Sequence, residues 1–259
     1  LALVQSTMIL APVVSPVLGA FLLSFTSWRG LFWALTIIGM ISMLGCLLLE
    51  ETIPHRQTGT ILQSFKRLGT VLGNPGFTSL LFIFSLTGIS TLAFVGGSSY
   101  IYQQTFGLSQ QWYSYYFALN ATASITGALF FIWISRFLTL KWIISSAFVI
   151  IFLSGVLICL FGTGSPLIFA LLLLPASLMS SCMRPGSTYL MLGQQTENTG
   201  SASSLINCLF MFCGSIGMVL ISVIGEDLVV NIGMINGAVG LVCLIGWLLI
   251  VKFKLAKPV

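Results

Sequence analysis

The chain has 259 residues, 57% of them hydrophobic and 6% charged, with a mean hydropathy of +1.08. A soluble domain carries about 25% charged residues, so five acids and ten bases cannot clothe a water-facing surface of this size. The net charge of +5 is not a nucleic-acid footprint, because the bases, Arg184 apart, lie outside the apolar runs and mostly fall on one side if the spans alternate.

Eight apolar stretches follow one another at about 1–25, 30–49, 77–104, 112–135, 142–161, 166–191, 201–224 and 232–251. Most are near the 20 or so residues that a helix needs to cross roughly 30 Å of hydrocarbon. They do not alternate apolar and polar residues as barrel strands do. The expected fold is therefore an all-α membrane protein. The stretches divide two and six, and this split predicts that the front of a larger protein precedes Leu1.

The first stretch carries Pro12, Pro16 and Gly19. Two prolines four apart remove two backbone donors on one face and bend a helix, and a glycine lets a neighbour come close. Trp28 and Trp33 suit the membrane–water interface at the start of the second stretch. That stretch ends at Glu50-Glu51-Thr52-Ile53-Pro54. In the polar gap that follows, Ile61, Phe65, Leu68 and Leu72 share one helical face, which predicts a short amphipathic helix on the membrane surface, broken by Asn74-Pro75-Gly76.

Six stretches with short connections come next. Tyr100, Tyr102, Tyr113, Tyr115 and Tyr116 gather at the outer ends of the first two and read as an interfacial belt. Asn120 and Asn207 are polar groups in apolar helices, either bonding helix to helix or lining a cavity. Gly200, Gly214 and Gly217, and the run Gly233, Gly237 and Gly240, mark close helix contacts. The six cysteines, Cys46, Cys159, Cys182, Cys208, Cys213 and Cys243, all lie inside apolar runs and read as small buried hydrophobes.

Arg184 stands well inside the stretch 166–191. A charge near mid-membrane costs at least about 2.5–3.5 kcal/mol, so it faces a cavity or a partner unless it snorkels to the edge. No acid lies inside any apolar stretch. Its partner is left open among a substrate, carbonyls freed by Pro185 and an acid elsewhere.

If the spans alternate sides, Arg56, Lys66, Arg67, Arg136, Lys141, Lys252, Lys254 and Lys257 share one side, and Arg29, Glu226 and Asp227 the other. The positive-inside rule places the first side, and with it the C-terminus, in the cytoplasm. Enzyme chemistry finds no footing: the one histidine, His55, lies in the polar gap, which excludes HExxH metal sites and serine–histidine pairs within the membrane. A channel would show rings of charge or carbonyl-rich filter loops, and neither is visible. No metal or cofactor is expected.

Several segments resemble the major facilitator superfamily, and within it the drug/proton antiporter group called Bcr/CflA. They are Ala11-Pro12-Val13-Val14-Ser15-Pro16-Val17-Leu18-Gly19, Trp28-Arg29, Phe32-Trp33, Glu51-Thr52-Ile53-Pro54, Tyr100-Ile101-Tyr102, Phe106-Gly107-Leu108-Ser109, Tyr115 to Asn120, and Thr199 to Leu205. The resemblance implies a major facilitator helical bundle with eight transmembrane helices of an expected twelve. Residues 1–49 would be the last two helices of an N-terminal bundle, 50–76 a cytoplasmic central loop with its amphipathic helix, and 77–259 a C-terminal six-helix bundle with a basic tail.

The resemblance further implies a multi-pass protein of the inner membrane and proton-coupled efflux of drug-like small molecules by alternating access. The partners would be substrate, protons and lipid, with no nucleic acid, and the protein would be a monomer. Pro12, Pro16 and Gly19 would form the antiporter motif at the bundle interface, and Arg184, Asn120 and Asn207 would line the cavity. Two departures stand out: Ala20 replaces a second glycine of the motif, and Arg184 replaces a residue that is often asparagine. The second points to an anionic or zwitterionic substrate. The alternatives are a dedicated carrier of one such metabolite, or a truncated piece without activity of its own.

Overall fold

Four of the described helices start where a polar side chain takes up the backbone N–H groups that a first turn leaves unpaired. A computed structural model describes residues 18–19, 21–23, 25–49, 61–195, 198–225 and 227–256, with the backbone alone for 61–65. Asn74 Oδ1 accepts from the amides of Gly76 (3.0 Å) and Phe77 (3.3 Å), and Ser165 Oγ from that of Ile168 (3.2 Å). Each is followed by proline at the first helical position, where the missing N–H costs nothing. Asp227 Oδ1 accepts from Val229 (2.9 Å) and Val230 (3.3 Å). Such a cap contributes about 1 kcal/mol.

The helices are α1 (Trp28–Leu47), α2 (Ile61–Leu72), α3 (Pro75–Tyr100, continued by a π-helical turn, Ile101–Thr105), α4 (Gln110–Ile134), α5 (Leu140–Phe161), α6 (Pro166–Gly193), α7 (Thr199–Val223) and α8 (Leu228–Phe253). Among the described residues there is no strand, and seven helices, all but α2, are long and apolar enough to cross a membrane. The span expected over 1–25, with Pro12 and Pro16, and the segment 51–54 lie outside the described residues, except for Gly19 and a few neighbours. The Asp227 cap starts α8 at Leu228 rather than near 232. This brings Asn231 inside the helix, where its Nδ2 bonds the carbonyls of Ile221 and Gly225, each at 2.9 Å, and ties α8 to the end of α7.

None of the residues of α1 is buried. A helix that is apolar around its whole circumference suits lipid on every side. The amphipathic helix α2 forms where the sequence places it, but it is docked through Val71, which is 1% exposed, while Leu72 is 40% exposed. The reason lies in its attachment. Asn74 Nδ2 donates to the Gln194 carbonyl at 2.7 Å, and Gln195 Nε2 donates to the Val71 carbonyl at 3.2 Å, which pins the end of α2 to the α6–α7 turn. A Cβ on Gly76 would stand 2.9 Å from Gln194 Oε1 and 3.0 Å from the Leu255 carbonyl. The start of α3, the α6–α7 turn and the C-terminal segment thus meet at one end of the bundle.

Six helices, α3 to α8, pack together, and their closest pairs are α3 with α7, α5 with α8, α4 with α6, α5 with α6, and α3 with α8. Exchanging α3, α4 and α5 for α6, α7 and α8 leaves this pattern unchanged. The α3–α7 pair becomes α6–α4, α5–α6 becomes α8–α3, and α5–α8 maps onto itself. Corresponding helices are three spans apart and run in opposite directions, so the bundle is an inverted repeat. The sequence shows no strong repeat, because the symmetry lies in which helices pair.

The seams are built on close backbone approach. On α5 and α8, a Cβ at Gly233 would lie 2.6 Å from Cys159 Sγ, one at Gly240 would lie 2.5 Å from the Phe152 amide nitrogen, and one at Gly155 would strike the backbone of Gly233 and Gly237. On α3 and α7, Gly88 faces the Phe210 carbonyl and Gly217 faces the Ile89 carbonyl. Gly214 packs on Leu92, whereas Gly200 has no neighbour within 4 Å of an added Cβ among the described residues.

At the far end the tyrosines do not all form a belt. Tyr102 is fully buried, stacked on Tyr116 at 5.0 Å and flanked by Phe169 at 5.6 Å and Tyr113 at 6.2 Å, while Tyr100 and Tyr115 are exposed. The π turn supplies the reason: its wider spacing sets Ile101 and Tyr102 together into the core. Nor are the cysteines all buried: Cys46 and Cys208 are exposed.

Candidate functional site

Helix α6 carries Ser177, Ser180, Ser181, Arg184, Ser187 and Thr188. At 100° per residue these fall on one stripe, with the arginine near its centre. Pro185 lies inside the helix and has no N–H, so the Ser181 carbonyl one turn earlier loses its helical donor.

The stripe faces a cleft between α3, α6 and α7. Its polar lining is Ser85, Thr87, Thr91, Ser180, Ser181, Ser187, Thr188 and Arg184; Phe84, Met183, Met191, Ile206 and Phe210 form the apolar walls. Arg184 is nine residues from the end of α6, Phe210 eleven from the start of α7 and Thr87 twelve from the start of α3. These three helix ends share one side of the bundle, so the three residues sit roughly 14, 17 and 18 Å deep at 1.5 Å per residue. The cleft therefore lies well inside the length of three helices that are each long enough to span the hydrocarbon.

The Arg184 guanidinium lies over the Phe210 ring, 4.2 Å from its centroid, and makes no hydrogen bond or ion pair among the described residues. It does not hydrogen-bond the Ser181 carbonyl, and the residue is exposed. Three hydroxyls are already committed to backbone: Thr87 to Phe84 (2.6 Å), Thr91 to Thr87 (3.0 Å) and Ser187 to Arg184 (2.9 Å). Ser85, Ser180, Ser181 and Thr188 have no hydrogen-bond partner among the described residues.

The other residues singled out by sequence lie apart from this cleft. Asn120 Nδ2 donates to Ser177 Oγ at 2.8 Å, joining α4 to the α6 stripe two turns from Arg184. Asn207 is exposed, and its Nδ2 returns to the Ser203 carbonyl of its own helix at 3.1 Å. Gly19 is helical, with no neighbour within 4 Å of an added Cβ among the described residues.

Sequence reasoning passed over the hydroxyl stripe, which an angular plot of α6 would have shown. It also passed over Asn236 of α8, 1% exposed, whose Oδ1 accepts from Ser90 Oγ of α3 and whose Nδ2 is buried without a partner among the described residues. The signal was the one that drew attention to Asn120: an amide side chain in an apolar span.

The chain is similar to known proteins along most of its length. The family model for the Major Facilitator Superfamily matches residues 1–218. The uncharacterized MFS-type transporter YdgK of Bacillus subtilis (strain 168) is 29% identical over 232 residues, which are 87% of this chain and 58% of that protein. Multidrug resistance protein MdtL of Salmonella typhi is 29% identical over 126 residues, 48% of this chain and 32% of that protein. The chain thus spans somewhat over half the length of the first relative and about a third of the second. With its membrane-spanning helices in an inverted three-plus-three bundle, this chain belongs to the Major Facilitator Superfamily.

Proposed function

We propose that the protein is a proton-coupled exporter of drug-like small molecules, of the Bcr/CflA type, that works by alternating access. The carrying observation is a polar, arginine-bearing cleft deep in an inverted-repeat bundle. A packed membrane bundle with no transport role has no reason to hold, at that depth, a cation without an acidic partner among the described residues. The name of MdtL supports a drug substrate, and proton coupling rests on the resemblance of the sequence to drug/proton antiporters. Within the cleft, Arg184 and the neighbouring hydroxyls hold the cargo. Asn120 positions α6 through Ser177, and Asn207 serves a state in which α7 meets other helices. Pro12, Pro16 and Gly19 shape the surface on which the two bundles rock.

The test is growth of a pump-deficient strain carrying the full-length gene across a panel of toxic compounds, with efflux of a fluorescent substrate measured in parallel. Protection against several unrelated compounds, abolished by a protonophore, is expected. Efflux that follows a sodium gradient instead would remove the proton coupling. Protection limited to one compound would select the second reading, a dedicated carrier of an anionic or zwitterionic metabolite. That reading is favoured by the absence of any acid beside Arg184 among the described residues.

The basic end of the bundle, with Lys66, Arg67, Arg136, Lys141, Lys252 and Lys254, is the cytoplasmic one in this proposal. The opposite loops, 106–109, 162–165 and 224–227, carry only Asp227 among the described residues. In a background without native cysteines, Lys254→Cys should react with a membrane-impermeant maleimide only after the cells are opened. Labelling in intact cells would reverse the orientation.

A further inference from the structure

The geometry points to Arg184 as the seat of a carboxylate on the transported molecule, with the cleft built for small amphipathic acids. This inference rests on the reading of the protein as a carrier of small molecules and names the chemistry of its cargo. Three features lead to it. The guanidinium carbon lies over Phe210, 4.2 Å from the ring centroid, a contact that uses the face of the cation and none of its N–H donors. No acid, carbonyl or hydroxyl among the described residues uses those donors. Around them Ser85, Ser180, Ser181 and Thr188 offer further donors with no partner of their own among the described residues.

A planar fork beside spare hydroxyls matches the two oxygens of a carboxylate. It does not match a cationic drug, which Arg184 would repel, nor a wholly apolar one, which would leave every donor unpaired. The walls complete the selection. Phe84, Phe210, Ile206, Met183 and Met191 receive an aromatic or aliphatic body, and the two methionines adapt to its shape. An intramembrane cation without a partner is costly, and the arrival of an anion offsets that cost. Binding energy is thus concentrated on the acid group.

The probes are 1-naphthoate and its neutral isostere 1-naphthamide, with the purified full-length protein in a non-ionic detergent and the thermal unfolding midpoint as the readout, since a ligand that binds the folded state raises it. Naphthoate is expected to raise the midpoint and naphthamide to leave it unchanged. Arg184→Gln should weaken naphthoate roughly 10- to 100-fold, the effect of removing a hydrogen-bonded charge, and Arg184→Lys should keep part of the shift. Equal shifts from acid and amide, no shift from naphthoate, or a naphthoate shift that survives Arg184→Gln would each overturn the inference. An Arg184 already paired with an acid elsewhere in the protein would give the second of these.

If Arg184→Gln does not fold, the acid–amide contrast in the unsubstituted protein decides, supported by loss of affinity in Ser181→Ala and Thr188→Val. Export is read separately. If neutral compounds are exported while acid and amide bind alike, this inference fails and the carrier reading stands. If naphthoate binds through Arg184 but nothing is exported, the carrier reading fails.

Discussion

Gly155→Ala is expected to lower the thermal midpoint of the purified protein and its yield of monodisperse material, and Gly237→Ala to do neither. Both glycines belong to the seam between α5 and α8. A Cβ on Gly155 would strike the backbone of Gly233 and Gly237, whereas one on Gly237 would meet nothing within 4 Å among the described residues. Backbone cannot swing aside as a side chain can, so the two helices must separate along the seam. Overpacking of this kind costs about 1–3 kcal/mol. At Gly237 the added methyl enters open space, and the helix gains the roughly 1 kcal/mol by which alanine outranks glycine. Equal midpoints for the two variants would show that the seam is not packed as described.

Arg184→Leu is expected to cut the proposed transport sharply and to leave the protein at least as stable as before. The change removes the one charge that lines the cleft among the described residues, together with its contact to Phe210. Loss of cargo binding should lower uptake into inverted vesicles by at least about tenfold, or 1.4 kcal/mol. Stability should move the other way, because an intramembrane cation costs at least about 2.5–3.5 kcal/mol relative to an apolar residue. A site that costs stability and supplies function is expected of a transporter. Unchanged uptake in Arg184→Leu would end the cavity role. A large fall in midpoint with no effect on uptake by the surviving folded protein would recast the residue as structural.

Much of the helix layout was legible because local rules decide it. Asn74 with Pro75 and Ser165 with Pro166 are capping pairs that can be read directly, and the helices start there. Asp227 is the same kind of signal, although it stands ahead of the apolar run that begins near 232. Site residues were less legible. Arg184, Asn120 and Asn207 drew attention for one reason, polarity in an apolar helix, yet the structure gives them three situations. Arg184 lies in a cleft over Phe210, Asn120 bonds Ser177 on another helix, and Asn207 bonds its own backbone. A side chain's type states that it needs a partner, and only the neighbouring helix states which.

The sequence by itself determined that this is a helical membrane protein, roughly where the seven described spans run and that Arg184 is out of place among apolar residues. Those outcomes follow from hydrocarbon thickness and the cost of charge, which act on each segment separately. Tertiary structure alone decided the rest: the inverted pairing of α3–α5 with α6–α8, the different tightness at Gly155 and Gly237, the burial of Tyr102, and the set of hydroxyls gathered around Arg184. The reason is physical. In lipid, an apolar side chain gains as little from tails as from another helix, so hydrophobicity does not choose partners. Shape and hydrogen bonding between helices make that choice, and neither can be seen one segment at a time.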